Sequence, residues 1–301
     1  MIKNFDDLLN VAIERGPKKI AVACAEDVEI LKAIKHASDE KIVKPILIGN
    51  MEKITEISNN INFDISEFET YDFSTMEESA EKAVRLVSEG KADMVMKGLI
   101  DTAKILKAVL NKEYGLRTGN VLSHVAVFDV KKYHKLLFIT DAAMNIAPTL
   151  MQKKQIIENS LEVVRAIDID EPKVAVVCAK EKVNEKMICT VDAGKLAEMN
   201  ENGEIKGCIV GGPFALDNAV SKEAAIVKGI DHPVAGDADV ILCPNIESGN
   251  VLYKSLNFLS DARSAGIIVG ASAPIVLVSR ADSKDAKLNS IALGTLMAAN
   301  K

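Results

Sequence analysis

The chain has 301 residues, enough for two ordinary domains or one large one, and nearly half of them are apolar. Its formal net charge of -6 argues against a protein that grips nucleic acid by neutralising phosphates. No apolar run reaches the roughly 18–20 residues of a membrane span, and acids and bases interrupt the N-terminus too early for a secretion signal.

Hydrophobic spacing predicts a short amphipathic helix over 6–14, then a buried strand over 19–24. Asp27 is placed to cap a helix running to about 38. A strand over 45–49, a helix over 51–58 and an irregular stretch over 63–73 follow. The helix over 75–90 turns Ala80, Ala83, Val84 and Val87 inward and ends on Gly90. A strand over 92–96 leads to a helix over 101–110. Strands over 121–130 and 136–140 precede a long helix over 149–167. The remaining strands are expected over 173–179, 205–210, 238–243, 266–269 and 275–278. Helices are expected over 187–199, 219–228, 250–259 and from 286 to the end of the chain. Such alternation implies parallel strands with right-handed crossovers and helices on both faces.

Cys24, Cys178, Cys189, Cys208 and Cys243 are scattered and odd in number. Their spacing matches no metal site, and most lie in or beside apolar runs, as small core residues do. A reducing, cytoplasmic setting is the expectation.

Chemistry concentrates where predicted strands end. Ser279, Arg280, Asp282 and Asp285 lie together between the strand over 275–278 and the last helix, the usual ligand-binding end of an open α/β sheet. The guanidinium fork of Arg280 suits phosphate; the two aspartates equally suit a helix cap. Lys97 and Gly98 end another strand and open onto Thr102, Lys104 and Lys107, which suits phosphate or simply a solvated helix face. Ser123 and His124 put polar groups into an apolar strand, where they must be bonded or serve a site. Asn145 and Thr149 follow the next strand and are readable as a loop over a ligand or as a turn and a helix cap. Gly211 and Gly212 are readable as a glycine turn entering a helix.

These pieces run in an order that resembles the phosphate acetyltransferase/butyryltransferase family. They are Lys97-Gly98 with Thr102, Ser123-His124, Asp141-Ala142-Ala143-Met144-Asn145 with Pro148-Thr149, Gly212-Pro213-Phe214, Leu216-Asp217-Asn218-Ala219, Ala235-Gly236-Asp237-Ala238-Asp239, Pro244 to Asn250 and Ser279-Arg280. The likeness is closer to the butyryl members, because Met96-Lys97-Gly98 stands where acetyl members tend to carry Ser-Gly-Ala, and Lys107 where they tend to carry Arg.

The resemblance implies a two-domain α/β fold, a parallel-sheet sandwich similar to isocitrate and isopropylmalate dehydrogenases, with the active site in the cleft between domains. It implies a discontinuous first domain of 1–134 plus 268–301 and a second of 135–267. The implied reaction is reversible transfer of a butanoyl group between CoA and phosphate, without metal or cofactor. Ser279 and Arg280 would be catalytic. Lys97, Gly98, Thr102 and Lys107 would bind phosphate, with Ser123, His124, Asn145 and Thr149 also at the substrates. The acetyl members carry a catalytic Asp about seven positions after the Ser, which here falls on Ala286. Asp285 is therefore favoured as base and Asp282 second. The partners are CoA, butanoyl-CoA and phosphate, with no nucleic acid and no membrane, in a homodimer or larger homo-oligomer. Competing expectations are an enzyme of the same family with another acyl preference, a metal- and NAD-dependent decarboxylating dehydrogenase of the same fold using Asp237 and Asp239, and a CoA-binding sensor without turnover.

Overall fold

The computed structural model describes residues 2–278 and 282–300; Ser279, Arg280 and Ala281 lie outside the described residues, as do both terminal residues. Two compact units form: one of Phe5–Asn120 with Ala265–Lys301, the other of Met1–Asn4 with Val121–Ser264.

The first unit opens with α1 (Phe5–Arg15), β1 (Lys18–Ala23), α2 (Val28–Asp39), β2 (Val43–Gly49), α3 (Met51–Asn60) and β3 (Glu69–Asp72). It continues through α4 (Met76–Ser88), β4 (Met94–Lys97) and α5 (Thr102–Val109). Asp27 caps α2 by accepting from the amides of Glu29 and Ile30, as the sequence suggested.

The second unit contains β5 (Ser123–Asp129), β6 (Leu137–Thr140), α6 (Leu150–Ala166), β7 (Lys173–Val177), α7 (Ile188–Glu201) and β8 (Ile209–Phe214). Then come α8 (Leu216–Val220), α9 (Lys222–Val227), β9 (Val240–Leu242) and α10 (Ile246–Leu259). Its strands lie in the order β5-β6-β9-β7-β8. They are parallel except for β5 and β6. That pair is joined by a connection too short for a crossover, so it can only be antiparallel. Its core gathers Phe128, Ile139, Phe214, Val234 and Ile241.

The chain returns to the first unit with β10 (Arg263–Val269), β11 (Ile275–Val276) and α11 (Lys284–Ala299). The order there is β3-β2-β1-β4-β11-β10, parallel except between β10 and β11. β1 is buried on both faces along Ile20–Ala23, as central parallel strands are. The units divide at 120/121 and 264/265, whereas the sequence placed crossings near 135 and 267. The difference at the first crossing is β5, which goes with its hairpin partner β6.

Three local expectations differ from the structure. Gly211 and Gly212 lie inside β8 rather than in a turn. A Cβ on Gly211 would press on the His232 ring at 2.5 Å, and one on Gly212 would meet Val176 at 3.0 Å. Glycine is needed there for close packing on the sheet. The helix expected over 219–228 is two pieces, broken at Ser221, whose hydroxyl caps α9 by accepting from the Ala224 amide. α10 starts at Ile246, capped by Asn245, so 246–249 is helix rather than link.

α11 is the least amphipathic surface in the first unit. Every residue from Ala286 to Met297 is buried, as in a helix enclosed on all sides. Its polar side chains are tied down accordingly. Ser290 donates to the Ala286 oxygen at 2.7 Å and accepts from the Gly266 amide at 2.9 Å. Thr295 donates to the Ile42 oxygen at 3.3 Å.

Candidate active site

In the first unit, β4 delivers Lys97 to the carboxyl end of the sheet. The side chain is only 8% exposed, and its Nζ donates to the Gly98 oxygen at 3.3 Å. The next residue must be glycine, because a Cβ on Gly98 would overlap the Cys24 carbonyl and reach the Ala23 oxygen at 2.6 Å. Glycine permits its close approach to the end of β1, and it also lines the pocket where a ligand is expected.

Lys97 and Gly98 line a pocket of about 90 Å³ with Asp27, Glu29, Ile30, Val278 and Lys287. Lys287 was not singled out from the sequence. The signal was available: it is the one charged residue between Ala286 and Met297, and it is 3% exposed. Val278 leads directly to Ser279 and Arg280, which lie outside the described residues.

Thr102 is the first residue of α5 and half-buried. Lys107 is exposed in the last turn of that helix and does not line the pocket. Five residues of helix separate it from Thr102 by roughly 7.5 Å along the axis. Lys104 is engaged with Glu77 at 2.8 Å. Asp285 is exposed in the first turn of α11, and Asp282 is half-buried two residues before that helix. Neither is the cap: Ser283 is, accepting from the Ala286 amide at 3.1 Å.

In the second unit, the Ser123 hydroxyl accepts from the Asn159 amide at 3.0 Å and is fully buried. His124 is 6% exposed, its ring edge-on to Tyr253 with centroids 5.8 Å apart. Asp141 organises the loop after β6. Its carboxylate accepts from the amides of Ala143, Met144 and Asn145 at 2.9–3.1 Å. The Asn145 side-chain amide donates to Asp141 and to the Leu122 oxygen at 2.8 Å, so it braces the loop. Thr149 caps α6 in a reciprocal box with Gln152.

Two pockets open at the carboxyl ends of β7 and β9 and share Met187, Cys189 and Pro244. One, about 660 Å³, runs past Pro148, Thr149, Lys153 and Asn245. Lys153 is buried and paired with Asp192 at 2.7 Å. The other, about 470 Å³, is walled by Val177, Cys178, Leu216, Cys243 and Leu252, an apolar lining suited to an alkyl chain.

The thiols of Cys24, Cys178, Cys208 and Cys243 are poor nucleophiles. Burial pushes Cys24 and Cys208 up to about 11. It pushes Cys178 and Cys243 to about 12, with Cys189 adding to the rise at Cys178 and Asp141 to that at Cys243. All five cysteines are unbridged.

Asp237 and Asp239 sit in an ion-pair cluster. Asp237 meets Lys173 at 2.5 Å and His134 at 2.7 Å; Asp239 meets Lys135 at 2.7 Å. Burial alone would raise the Asp237 carboxyl, but bonds from Lys173, His134 and Lys135 hold it well below the usual carboxylate range. Among the described residues no His, Cys, Asp and Glu cluster is arranged to hold a metal ion. No helix of the described residues is long and apolar enough to cross a membrane.

The sequence profile of the phosphate acetyl/butaryl transferase family matches residues 5–83 and 73–295. The chain belongs to that family. It is 52% identical over 299 residues to the phosphate butyryltransferase of Clostridium beijerinckii, covering 99% of both chains. It is 45% identical over 294 residues to the phosphate acetyltransferase of Thermotoga maritima, covering 98% of this chain and 99% of that one. The crystal structure of a branched-chain phosphotransacylase from Enterococcus faecalis superposes with a TM-score of 0.81 at 33% identity, over 93% of this chain and 99% of that one. A 4-hydroxythreonine-4-phosphate dehydrogenase from Burkholderia phymatum matches with a TM-score of 0.56 at 13% identity, over 94% of this chain and 98% of that one. That similarity shows the shared dehydrogenase-like α/β fold and no more.

Proposed function

We propose that this protein is a phosphate butyryltransferase, interconverting butanoyl-CoA plus phosphate and butanoyl phosphate plus CoA. The full-length likeness to the Clostridium beijerinckii enzyme carries the reading. The buried Lys97 at a strand end supports it, because it supplies a local cationic site in an acidic chain.

A phosphate oxygen attacks the thioester carbonyl, the carbon–sulfur bond breaks, and the proton lost by phosphate ends on sulfur. Thioester and acyl phosphate are both activated acyl groups, so direct transfer needs no cofactor. Holding both reactants together removes the entropic cost of their encounter. Arg280 takes the phosphoryl oxygens and balances charge on the tetrahedral oxyanion; Ser279 donates a hydrogen bond to it. Lys97 and Thr102 take phosphate oxygens, and Lys107 strengthens the local positive field. In the CoA-acylating direction a carboxylate accepts the thiol proton, with Asp285 first and Asp282 second. Ser123, Asn145 and Thr149 shape the loops of the second unit that take the substrates, and His124 is the next candidate to move a proton. The apolar pocket walled by Val177 and Leu252 would suit the acyl chain or the pantetheine arm. The same reading includes a cytoplasmic homodimer or larger homo-oligomer, which light scattering would check.

The test follows thiol release from butanoyl-CoA while both substrates are varied. Release should require phosphate and give intersecting double-reciprocal lines. Release without phosphate would mean a thioesterase, and parallel lines would mean an acyl-enzyme.

A further inference from the structure

Lys287 is an ammonium in an unusual place. It is the fourth residue of α11, in the first turn, where the helix dipole is positive and a cation is disfavoured. It is 3% exposed. Among the described residues it makes no ion pair, and its Nζ has one acceptor, the main-chain oxygen of Asp282 at 2.5 Å. Burying such a charge is costly, even with the Glu29 carboxylate close enough to feel it.

The pocket it lines holds a second buried ammonium, Lys97. Two carboxylates share the lining, yet both have other duties. Asp27 accepts from two amides at the start of α2, and Glu29 is exposed and paired with Lys32 at 2.9 Å. Two buried ammonium groups beside a helix N-terminus make a cavity suited to a small anion. Its volume of about 90 Å³ admits a phosphate-sized ion and excludes the body of CoA.

We infer that Lys287 is a ligand of the phosphoryl group, acting with Lys97 to hold inorganic phosphate, or the phosphoryl end of the acyl phosphate, in this pocket. The inference rests on the transferase reading and adds a residue to it. The bond to the Asp282 oxygen fixes the side chain and leaves two N–H donors for the ion.

The test uses Lys287→Met, which keeps length and removes charge, with Lys287→Arg as the charge-retaining companion. In wild-type protein, inorganic phosphate should raise the melting temperature, as a ligand of the native state does. Lys287→Met should melt no lower than wild type without phosphate, since an apolar chain replaces a buried charge, and should lose the phosphate-induced rise. Its KM for phosphate should increase roughly tenfold or more, with that for butanoyl-CoA nearly unchanged. Lys287→Arg should recover part of both effects. A phosphate KM and phosphate-induced rise unaltered in Lys287→Met would overturn the inference while leaving the transferase reading intact. A melting temperature that collapses in Lys287→Met, with both KM values rising together and no recovery in Lys287→Arg, would overturn it in favour of a structural clamp. If wild type releases no thiol with phosphate yet loses its phosphate-induced rise in Lys287→Met, the transferase reading fails and the anion site stands.

Discussion

The amide of Gly98 donates to the carbonyl of Ala23 at 2.8 Å, stitching the exit of β4 to the end of β1. No side chain fits between them, because even a Cβ would overlap the Cys24 carbonyl. Gly98→Ala must therefore push the two strand ends apart, at a cost of roughly 1–3 kcal/mol. Lys97 would move with them. The expected outcome is a lower melting temperature and a raised phosphate KM in the same variant. Wild-type values for both would mean the strand end is not the anchor of the site.

Lys97 and Lys107 separate two kinds of electrostatic help. Lys97 is buried in the pocket and Lys107 exposed on α5. Lys97→Met should raise the phosphate KM by roughly tenfold or more. Lys107→Ala should have a smaller effect that fades with added salt, as exposed charges do. Equal, salt-independent effects would place Lys107 in direct contact with phosphate.

The start of α11 offers three neighbouring substitutions with different outcomes. Ser283→Ala removes the observed cap and should cost about 1 kcal/mol of stability with little change in chemistry. Asp285→Asn keeps shape and removes charge, and should slow CoA acylation by roughly 10²–10⁴-fold, as expected for loss of a general base. Asp282→Asn should leave turnover largely intact. Loss of turnover in Asp282→Asn with a silent Asp285→Asn would exchange their roles.

Much of this was legible in the sequence, and the misses have physical causes. Strand and helix alternation and the Asp27 cap followed from spacing and side-chain chemistry. Thr149 was readable as a cap or as a loop over a ligand, and the sequence could not show Gln152 folding back on it. Gly211 and Gly212 look like a turn because glycine permits one, but here His232 and Val176 leave no room for a Cβ. Asn145 is readable as part of a loop over a ligand, and what the sequence does not show is that its amide braces the Asp141 loop. Lys287 was hidden because a lysine in a helix usually faces water, and only the burial of the turns around it makes it informative.

Thiol chemistry gives a pH test independent of substrates. Cys24, Cys178, Cys208 and Cys243 have thiols raised to between about 11 and about 12, so almost none is thiolate at neutral pH. Alkylation of the native protein at these four positions, mapped by mass spectrometry, should be slow at pH 7 and faster at higher pH. Rapid labelling of Cys243 at neutral pH would contradict the buried environment assigned to it.

The cluster at Asp237 predicts acid sensitivity. Its carboxyl lies lower in the folded chain than in the unfolded chain, where it titrates near 3.9. The stability it contributes is therefore present above about pH 4 and lost as pH falls toward its folded value. Asp237→Asn should lower stability at neutral pH by on the order of 1–3 kcal/mol and narrow its gap to wild type below pH 4. A constant gap across that range would assign the acid response to other groups.

The central claim is that acyl groups pass directly between CoA and phosphate, and ³¹P NMR tests it most directly. Butanoyl-CoA and inorganic phosphate incubated with the protein should produce an acyl phosphate resonance in step with free thiol, and Arg280→Ala should abolish both while remaining folded. Thiol without acyl phosphate, or full turnover in Arg280→Ala, would contradict the account.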